Sequence, residues 1–151
     1  MQLCSRWVRQ LVPASQHATA VPHSRTLVAY VEEEGGIVFR YKSLVVSTAR
    51  QATVRAERRM VRFRVAGPLW SKLRAALKQT NVHAVAGNYV PAAPGADESH
   101  WLIAVGRDRV RIGDFGVIRP ELRAKLEPLL KVLVEVLAVG ERRIKAGTGS
   151  A

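Results

Sequence analysis

The chain has 151 residues, of which 48% are hydrophobic and 24% are charged, a length and composition typical of one globular domain. Its single cysteine, Cys4, excludes an internal disulfide and a thiolate metal cluster. No apolar run approaches the ~20 residues that a membrane-spanning helix requires, so we expect no membrane span.

The formal net charge is +12, and one segment carries most of it. Residues 40–80 contain eleven Lys and Arg residues and a single carboxylate, Glu57, whereas residues 1–39 are neutral. An acidic partner such as nucleic acid, an anionic membrane surface or an acidic protein relieves the self-repulsion of such a segment. Arginine supplied by a GC-rich genome gives the same excess on a solvated surface. The sequence leaves both explanations open.

Residues 1–25 differ in composition from the rest of the chain. They contain three arginines, no acidic residue and many Ser, Ala and His residues, which is typical of a transit-type leader or of disorder. A start codon assigned too far upstream is a third explanation. We therefore predict a disordered or leader-like extension over residues 1–25, a single domain over residues 26–145 and a flexible tail over residues 146–151.

Two strands joined by a tight turn follow the extension. Residues 27–33 and 37–47 both show the alternation of a β-strand. Gly35 and Gly36 between them favour a hairpin, because glycine adopts the positive φ that a tight turn requires. Within the second strand the alternation predicts two opposite sides: a core side with Ile37, Phe39 and Tyr41, and a solvent side with Val38, Arg40 and Lys42.

Residues 52–56 and 60–65 predict two further strands. In the second of them Arg62 and Arg64 alternate with three apolar residues, the pattern of a half-buried strand. Gly67-Pro68 then begins a helix that should end near Thr80-Asn81, since proline is well tolerated in a first turn.

The remaining elements are a loop, a hairpin and a helix. Residues 81–100 are rich in Pro and Gly and predict a loop. Residues 101–105 and 109–112 predict a short hairpin, and Pro120 begins a second helix that reaches about Val139. Pro128 should kink or restart that helix.

The order of elements predicts an α+β fold, with an antiparallel sheet of about six strands and two helices packed on one face. In such a sheet the cations of the basic segment would share the solvent side. The predicted basic face consists of Arg40, Lys42, Arg55, Arg62 and Arg64.

A catalytic site has little support in the sequence. There is no G-x-S-x-G nucleophile motif, and no G-K-[ST] follows Gly35-Gly36 to bind phosphate. None of the four histidines, His17, His23, His83 and His100, shows the spacing of a zinc site. We therefore expect a protein without enzymatic activity, catalytic residues, metal or cofactor. A deep cleft lined by His83, Asp97 and His100 would instead favour an enzyme.

Nucleic-acid binding is the alternative function that the charge suggests. A single-strand binder interleaves cations with exposed aromatic side chains that stack on bases. Here Phe39, Tyr41 and Phe63 alternate with cations, so we predict that they lie on the opposite, core side of the sheet. What remains is a basic module that binds nucleic acid or an anionic surface electrostatically, with strong salt dependence.

The order of several short motifs resembles the emfourin family of small bacterial domains. The resemblance covers about residues 27–137. It rests on a strand that ends in Gly35-Gly36-Ile37-Val38-Phe39, the helix Leu69–Leu77, the loop Pro94-Gly95-Ala96-Asp97, the strand Trp101–Val105 and the helix start Pro120-Glu121-Leu122.

The resemblance implies inhibition of a thermolysin-like zinc metallopeptidase. We expect the protein to be cytoplasmic and monomeric. Such an inhibitor has to present a rigid projection that fills the substrate cleft, with an acceptor near the zinc. The acidic hairpin tip has these properties, although solvation alone also explains its carboxylates. The predicted protease contacts are Glu33, Glu34, Gly35, Gly36 and Ile37.

Overall fold

The computed structural model describes residues 25–35, 40–90, 99–113 and 118–147. Most of the predicted N-terminal extension and of the predicted tail lies outside these residues. The described elements are β1 (Thr26–Glu34), β2 (Arg40–Ser47), β3 (Gln51–Ala56), β4 (Arg59–Arg64), α1 (Gly67–Thr80), α2 (Val82–Val85), β5 (Gly87–Tyr89), β6 (His100–Val105), β7 (Asp108–Ile112) and α3 (Pro120–Lys145).

The strands form one seven-stranded sheet in the order β4-β3-β2-β1-β6-β7-β5. All neighbouring strands are antiparallel except β5 and β7, which are parallel. The predicted α+β class, with a mainly antiparallel sheet and helices packed on it, is therefore confirmed.

The described helices lie on one side of the sheet, which we call the inner face. Gly140 of α3 lies against Val54 of β3, and the guanidinium of Arg143 lies 5.0 Å from the ring centroid of Phe63 on β4. Helix α1 packs on α3, and α2 packs near β7. The side opposite the helices is the outer face.

Apolar side chains at every second position of the strands are buried on the inner face. Registered partners across a sheet share a face and neighbours along a strand do not, so the pairing assigns each side chain to one side. The buried inner-face residues include Val28, Tyr30, Leu44, Val46, Val54, Val61, Phe63, Ile103, Val110 and Ile112.

Helix α3 supplies the other half of the core and is longer than predicted. It runs without interruption from Pro120 to Lys145, so the predicted end near Val139 is wrong, and of the predicted kink or restart at Pro128 the restart does not occur. An internal proline costs about 3 kcal/mol, because it removes one backbone hydrogen bond and crowds the preceding turn. Burial of Leu126, Leu129 and other apolar side chains on both sides of Pro128 offsets this cost.

The predicted loop over residues 81–100 contains two elements that the sequence analysis missed. Val82 and Val85 of the short helix α2 are buried in the core, and the Tyr89 hydroxyl of β5 donates a hydrogen bond to the Val85 carbonyl at 3.0 Å. Strand β5 then pairs with β7. Tertiary contacts order these short segments, whose glycines suggested a loop.

Other local predictions are confirmed. Helix α1 spans Gly67–Thr80 and ends at Asn81, whose φ of 46° is left-handed. The hairpin between β6 and β7 turns at Gly106, where φ is 58°. Among the described residues, none of the helices is long and apolar enough to cross a membrane.

Candidate protein-interaction surfaces

The β1–β2 hairpin presents two of its carboxylates on opposite faces. Glu33 is half-buried on the outer face, with Tyr41 and His100 as its registered partners on the flanking strands. Glu34 is exposed and faces Arg40, with 4.0 Å between the carboxylate and the guanidinium. Of these two carboxylates, Glu34 is therefore the largely solvated acceptor.

The last pair of this hairpin lies one residue beyond the contacts that the described parts of the neighbouring strands make with it, since the Glu57 N–H still donates to the Tyr41 carbonyl at 3.1 Å. The last registered pair between β1 and β6 is Glu33 with His100, and the last between β2 and β3 is Lys42 with Ala56. The pair of Glu34 with Arg40 lies farther out. Gly35 follows this pair, whereas Gly36 and Ile37, two of the predicted protease contacts, lie outside the described residues.

An ion pair fixes the hairpin to α3 from the inner side. The Lys42 ammonium lies 2.7 Å from a Glu141 carboxylate oxygen. This hydrogen bond to Glu141 raises the pKa of Lys42 above its ordinary value, and burial opposes the rise. The hairpin is thus attached to the long helix two residues before its last pair.

A buried tyrosine lies beside this attachment. The Tyr30 hydroxyl donates a hydrogen bond of 2.7 Å to the Glu32 carboxylate. Burial raises the pKa of Tyr30 strongly, and the nearby negative charge of Glu32 raises it further. Tyr30 therefore remains a neutral hydrogen-bond donor in the folded protein.

The predicted basic face is divided between the two sides of the sheet, so the prediction of one shared face is wrong. Arg40 and Lys42 point to the inner side, in phase with the buried Leu44. Arg55, Arg62 and Arg64 are exposed on the outer face. The prediction assigned the apolar side of β2 from its aromatic residues, but the aliphatic Leu44 and Val46, in the opposite phase, pack against the helices.

Tyr41 accordingly lies on the outer face with the arginines, which corrects its predicted place in the core. Burial raises the pKa of Tyr41, and Glu33 also raises it, whereas Ser43 and Arg55 act in the opposite direction. Phe63 lies on the inner face as predicted. Phe39 lies outside the described residues.

The outer face also contains two arginines that were not part of the predicted basic face. Arg109 and Arg111 alternate along β7 with Val110 and Ile112, which are fully buried on the inner side. This alternation is visible in the sequence. The position of β7, three strands from β2 in the same sheet, is not.

Small apolar residues occupy the centre of the outer face. Ala29 and Val31 on β1 are buried, and Val45 on β2 and Leu102 and Ala104 on β6 are half-buried. Strands β2, β1 and β6 are adjacent, so these five side chains form one patch, which we call the apolar stripe.

The cleft that would favour an enzyme is not formed by the described residues. His83 Nδ1 lies 3.0 Å from Asp108 Oδ1, beside the end of β6, whereas His100 begins that strand, about 17 Å away along it. Asp97 lies outside the described residues. A cleft of about 830 Å³ does open between α2, β5 and the start of α3, but its lining includes neither histidine. Within the described ranges, no group of three or more His, Cys, Asp or Glu residues could hold a metal ion.

Comparison of the sequence with protein-family models found no match, and a search of curated proteins also found none.

Proposed function

We propose that this chain is a non-enzymatic, protein-binding domain that inhibits a thermolysin-like zinc metallopeptidase as a cytoplasmic monomer. The resemblance of its motif order to the emfourin family suggests the target class. The structural observation that supports a contact site is the β1–β2 hairpin end, whose last pair, Glu34 with Arg40, extends beyond the pairs that β3 and β6 make. We infer that this end of the hairpin enters the substrate cleft.

The chemistry of the hairpin end is compatible with a zinc-peptidase cleft. The exposed carboxylate of Glu34 is a hard oxygen acceptor of the type that binds zinc or replaces its water. Gly35 has no side chain, so the backbone can approach the cleft walls closely. The ion pair of Lys42 with Glu141 orders the base of the hairpin before binding, which lowers the entropic cost of association.

An inhibition assay tests this proposal. The purified full chain is titrated into a thermolysin-type peptidase that cleaves a small peptide substrate. We expect the wild-type chain to inhibit, and we expect Glu34→Lys and Gly36→Trp each to weaken inhibition about tenfold or more, as loss of a central interface contact does. A serine peptidase serves as the specificity control and should remain fully active.

The chain offers a matched control for the charge reversal. Glu127 on α3 resembles Glu34, because the two side chains are 56% and 58% exposed and each faces one exposed cation. Glu127→Lys should therefore leave inhibition unchanged. Full inhibition by both hairpin variants would remove the proposed contact site, and no inhibition by the wild-type chain would remove the proposed target class.

The alternative function, a basic module for nucleic acid or anionic surfaces, has weaker support. Two of its five predicted cations, Arg40 and Lys42, lie on the inner side, and Lys42 is paired with Glu141. It remains a distinct proposal for the outer face, where Arg62→Ser and Arg64→Ser together should reduce the salt dependence of polyanion binding.

A further inference from the structure

The outer face repeats one pattern in two consecutive cross-strand rows. One row runs through the registered partners Arg62, Thr53, Val45, Ala29, Ala104 and Arg109. The next runs through Met60, Arg55, Ser43, Val31, Leu102 and Arg111. Each row has one arginine on either side of its centre. The centre consists of residues of the apolar stripe and of small polar residues.

The width of this pattern matches that of an α-helix. Neighbouring strands lie about 4.8 Å apart, so the stripe spans about 10 Å from β2 to β6. The arginines of the second row lie four strands apart, or about 19 Å between their backbones. A helix with its side chains is about 10–12 Å wide, so one laid along β1 would cover the stripe with an arginine column on each side.

Two arginines of the outer face lack a local counter-charge, whereas the Arg109 guanidinium donates hydrogen bonds to the Gly106 and Asp108 carbonyls at 2.8 and 2.9 Å. Within the described ranges no ion pair joins Arg62 or Arg64 to a carboxylate, and Glu33 of β1 faces the same side near the hairpin end. The inner face differs, because its Lys42 is paired with Glu141. The described helices all pack on that inner side, and none of them covers the stripe.

We propose that the outer face binds an acidic amphipathic helix of a partner protein. The apolar side of the helix would lie on the half-buried members of the stripe, Val45, Leu102 and Ala104. Carboxylates on both flanks of the helix would pair with Arg55 and Arg62 on one side and with Arg111 on the other. Charge complementarity of this kind mainly provides specificity and fast association, while the apolar contact provides affinity.

Other occupants fit these observations less well. The sugar-phosphate backbone of a nucleic acid makes no favourable contact with an apolar stripe. A single-strand site also needs several aromatic side chains that stack on bases, whereas Tyr41 is the one aromatic side chain that the described strands contribute to the outer face. A membrane requires large protruding apolar groups, but the stripe consists mainly of Ala and Val. Residues 1–24 carry two arginines and no acid, and a second copy of the chain has the same net charge of +12, so neither is complementary.

A binding experiment on the isotope-labelled full chain tests the proposal. The probe is a synthetic peptide of about 18 residues, or five helical turns, with Leu and Ala on one face and Glu on both flanks. A peptide of the same composition in scrambled order has the same charge but no apolar face. We expect the amphipathic peptide to bind at least about tenfold more tightly, with amide shifts that map to the stripe.

Paired variants locate the site. Arg62→Glu with Arg111→Glu reverses one charge in each arginine column and should weaken peptide binding about tenfold or more. Arg58→Glu with Arg142→Glu makes the same change in net charge at exposed positions elsewhere and should have a much smaller effect. Equal binding of both peptides, or equal effects of both variant pairs, would overturn the proposal.

Two further results would assign the face to another occupant and would also overturn it. One is tighter binding of a single-stranded oligonucleotide than of the amphipathic peptide at the same salt concentration. The other is paramagnetic broadening of the Ala29 and Val45 amides by a spin label on Cys4, which would place the N-terminal segment on the stripe. Neither result depends on the proposed inhibition, which is tested at Glu34.

Discussion

The two faces of the sheet use the same strands in opposite ways. On the inner face, Val46 is fully buried under helices and Lys42 is paired with Glu141. On the outer face, Val45 is only half-buried and Arg62 is exposed without a carboxylate partner among the described residues. A block of charge in the sequence is therefore not one surface, because alternation along the strands distributes its residues between the side that packs on the helices and the side that faces away from them.

The largest expected difference concerns two adjacent valines of β2. Val46→Ala removes apolar area that is fully buried and leaves a cavity, so we expect a loss of about 2–3 kcal/mol in the free energy of unfolding. Val45→Ala should cost about 1 kcal/mol or less, because this side chain retains contact with water. Urea unfolding measures both. Equal losses would show that the outer face of the isolated chain is packed as tightly as the inner one.

The next effect tests how closely helix α3 approaches the inner face. A Cβ built on Gly140 would lie 2.5 Å from the Val54 Cβ, closer than real side chains approach. Gly140→Ala should therefore lower the free energy of unfolding by about 1–3 kcal/mol through overpacking, although alanine has the better helix propensity. The double variant with Val54→Ala should recover part of the loss. A gain in stability for Gly140→Ala would contradict the close packing.

The stability of the protein at alkaline pH should depend differently on the tyrosines of the two faces. The pKa values of Tyr30 and Tyr41 are both raised above 10.0, mainly by burial, and that of Tyr30 is raised more. The unfolded state therefore loses its phenol protons first, and stability that is complete below pH 10 declines as the pH rises further. Tyr30 alone accounts for a slope of at most about 1.4 kcal/mol per pH unit.

Unfolding by urea at several alkaline pH values measures this slope. Tyr30→Phe should flatten the decline above pH 10 more than Tyr41→Phe does, because the inner tyrosine has the larger shift. If the outer-face variant had the larger effect, the assignment of the two side chains to differently buried faces would be wrong.

The smallest expected effect compares two cations. Lys42→Gln breaks the ion pair with Glu141, and because the Lys42 side chain is 36% exposed we expect a loss of about 1 kcal/mol or less. Arg62→Gln on the outer face should leave the free energy of unfolding nearly unchanged. A double-mutant cycle of Lys42 and Glu141 isolates the coupling. A coupling of zero would remove the proposed attachment of the hairpin to α3.

Much of the fold could be predicted from local patterns. The strong alternation around Arg62, the proline start of α1 and the glycine turn at Gly106 each depend on neighbouring residues, and each prediction is confirmed. Helix α2 and strand β5 could not be predicted, because segments of four and three residues are ordered by tertiary contacts rather than by their own periodicity.

The candidate surfaces were predictable only in part. The sequence predicts that carboxylates lie near the end of the β1–β2 hairpin and that Arg62 and Arg64 lie on an exposed side of their strand. The phase of β2 was not predictable, because Tyr41 and Leu44 are both apolar candidates for the core and have opposite phases. The contribution of Arg111 also required knowledge of which strands are adjacent.

Which side chains share a side within one strand can be predicted from the sequence, since a period of two is a local property of the extended backbone. Which side of the sheet the helices cover, and which strands lie side by side, depends on contacts between distant parts of the chain. Turns and bulges reset the phase from one strand to the next, and helix packing selects the side that buries more apolar surface. For this reason Lys42 and Arg62, which belong to the same basic segment, lie on opposite faces of the sheet.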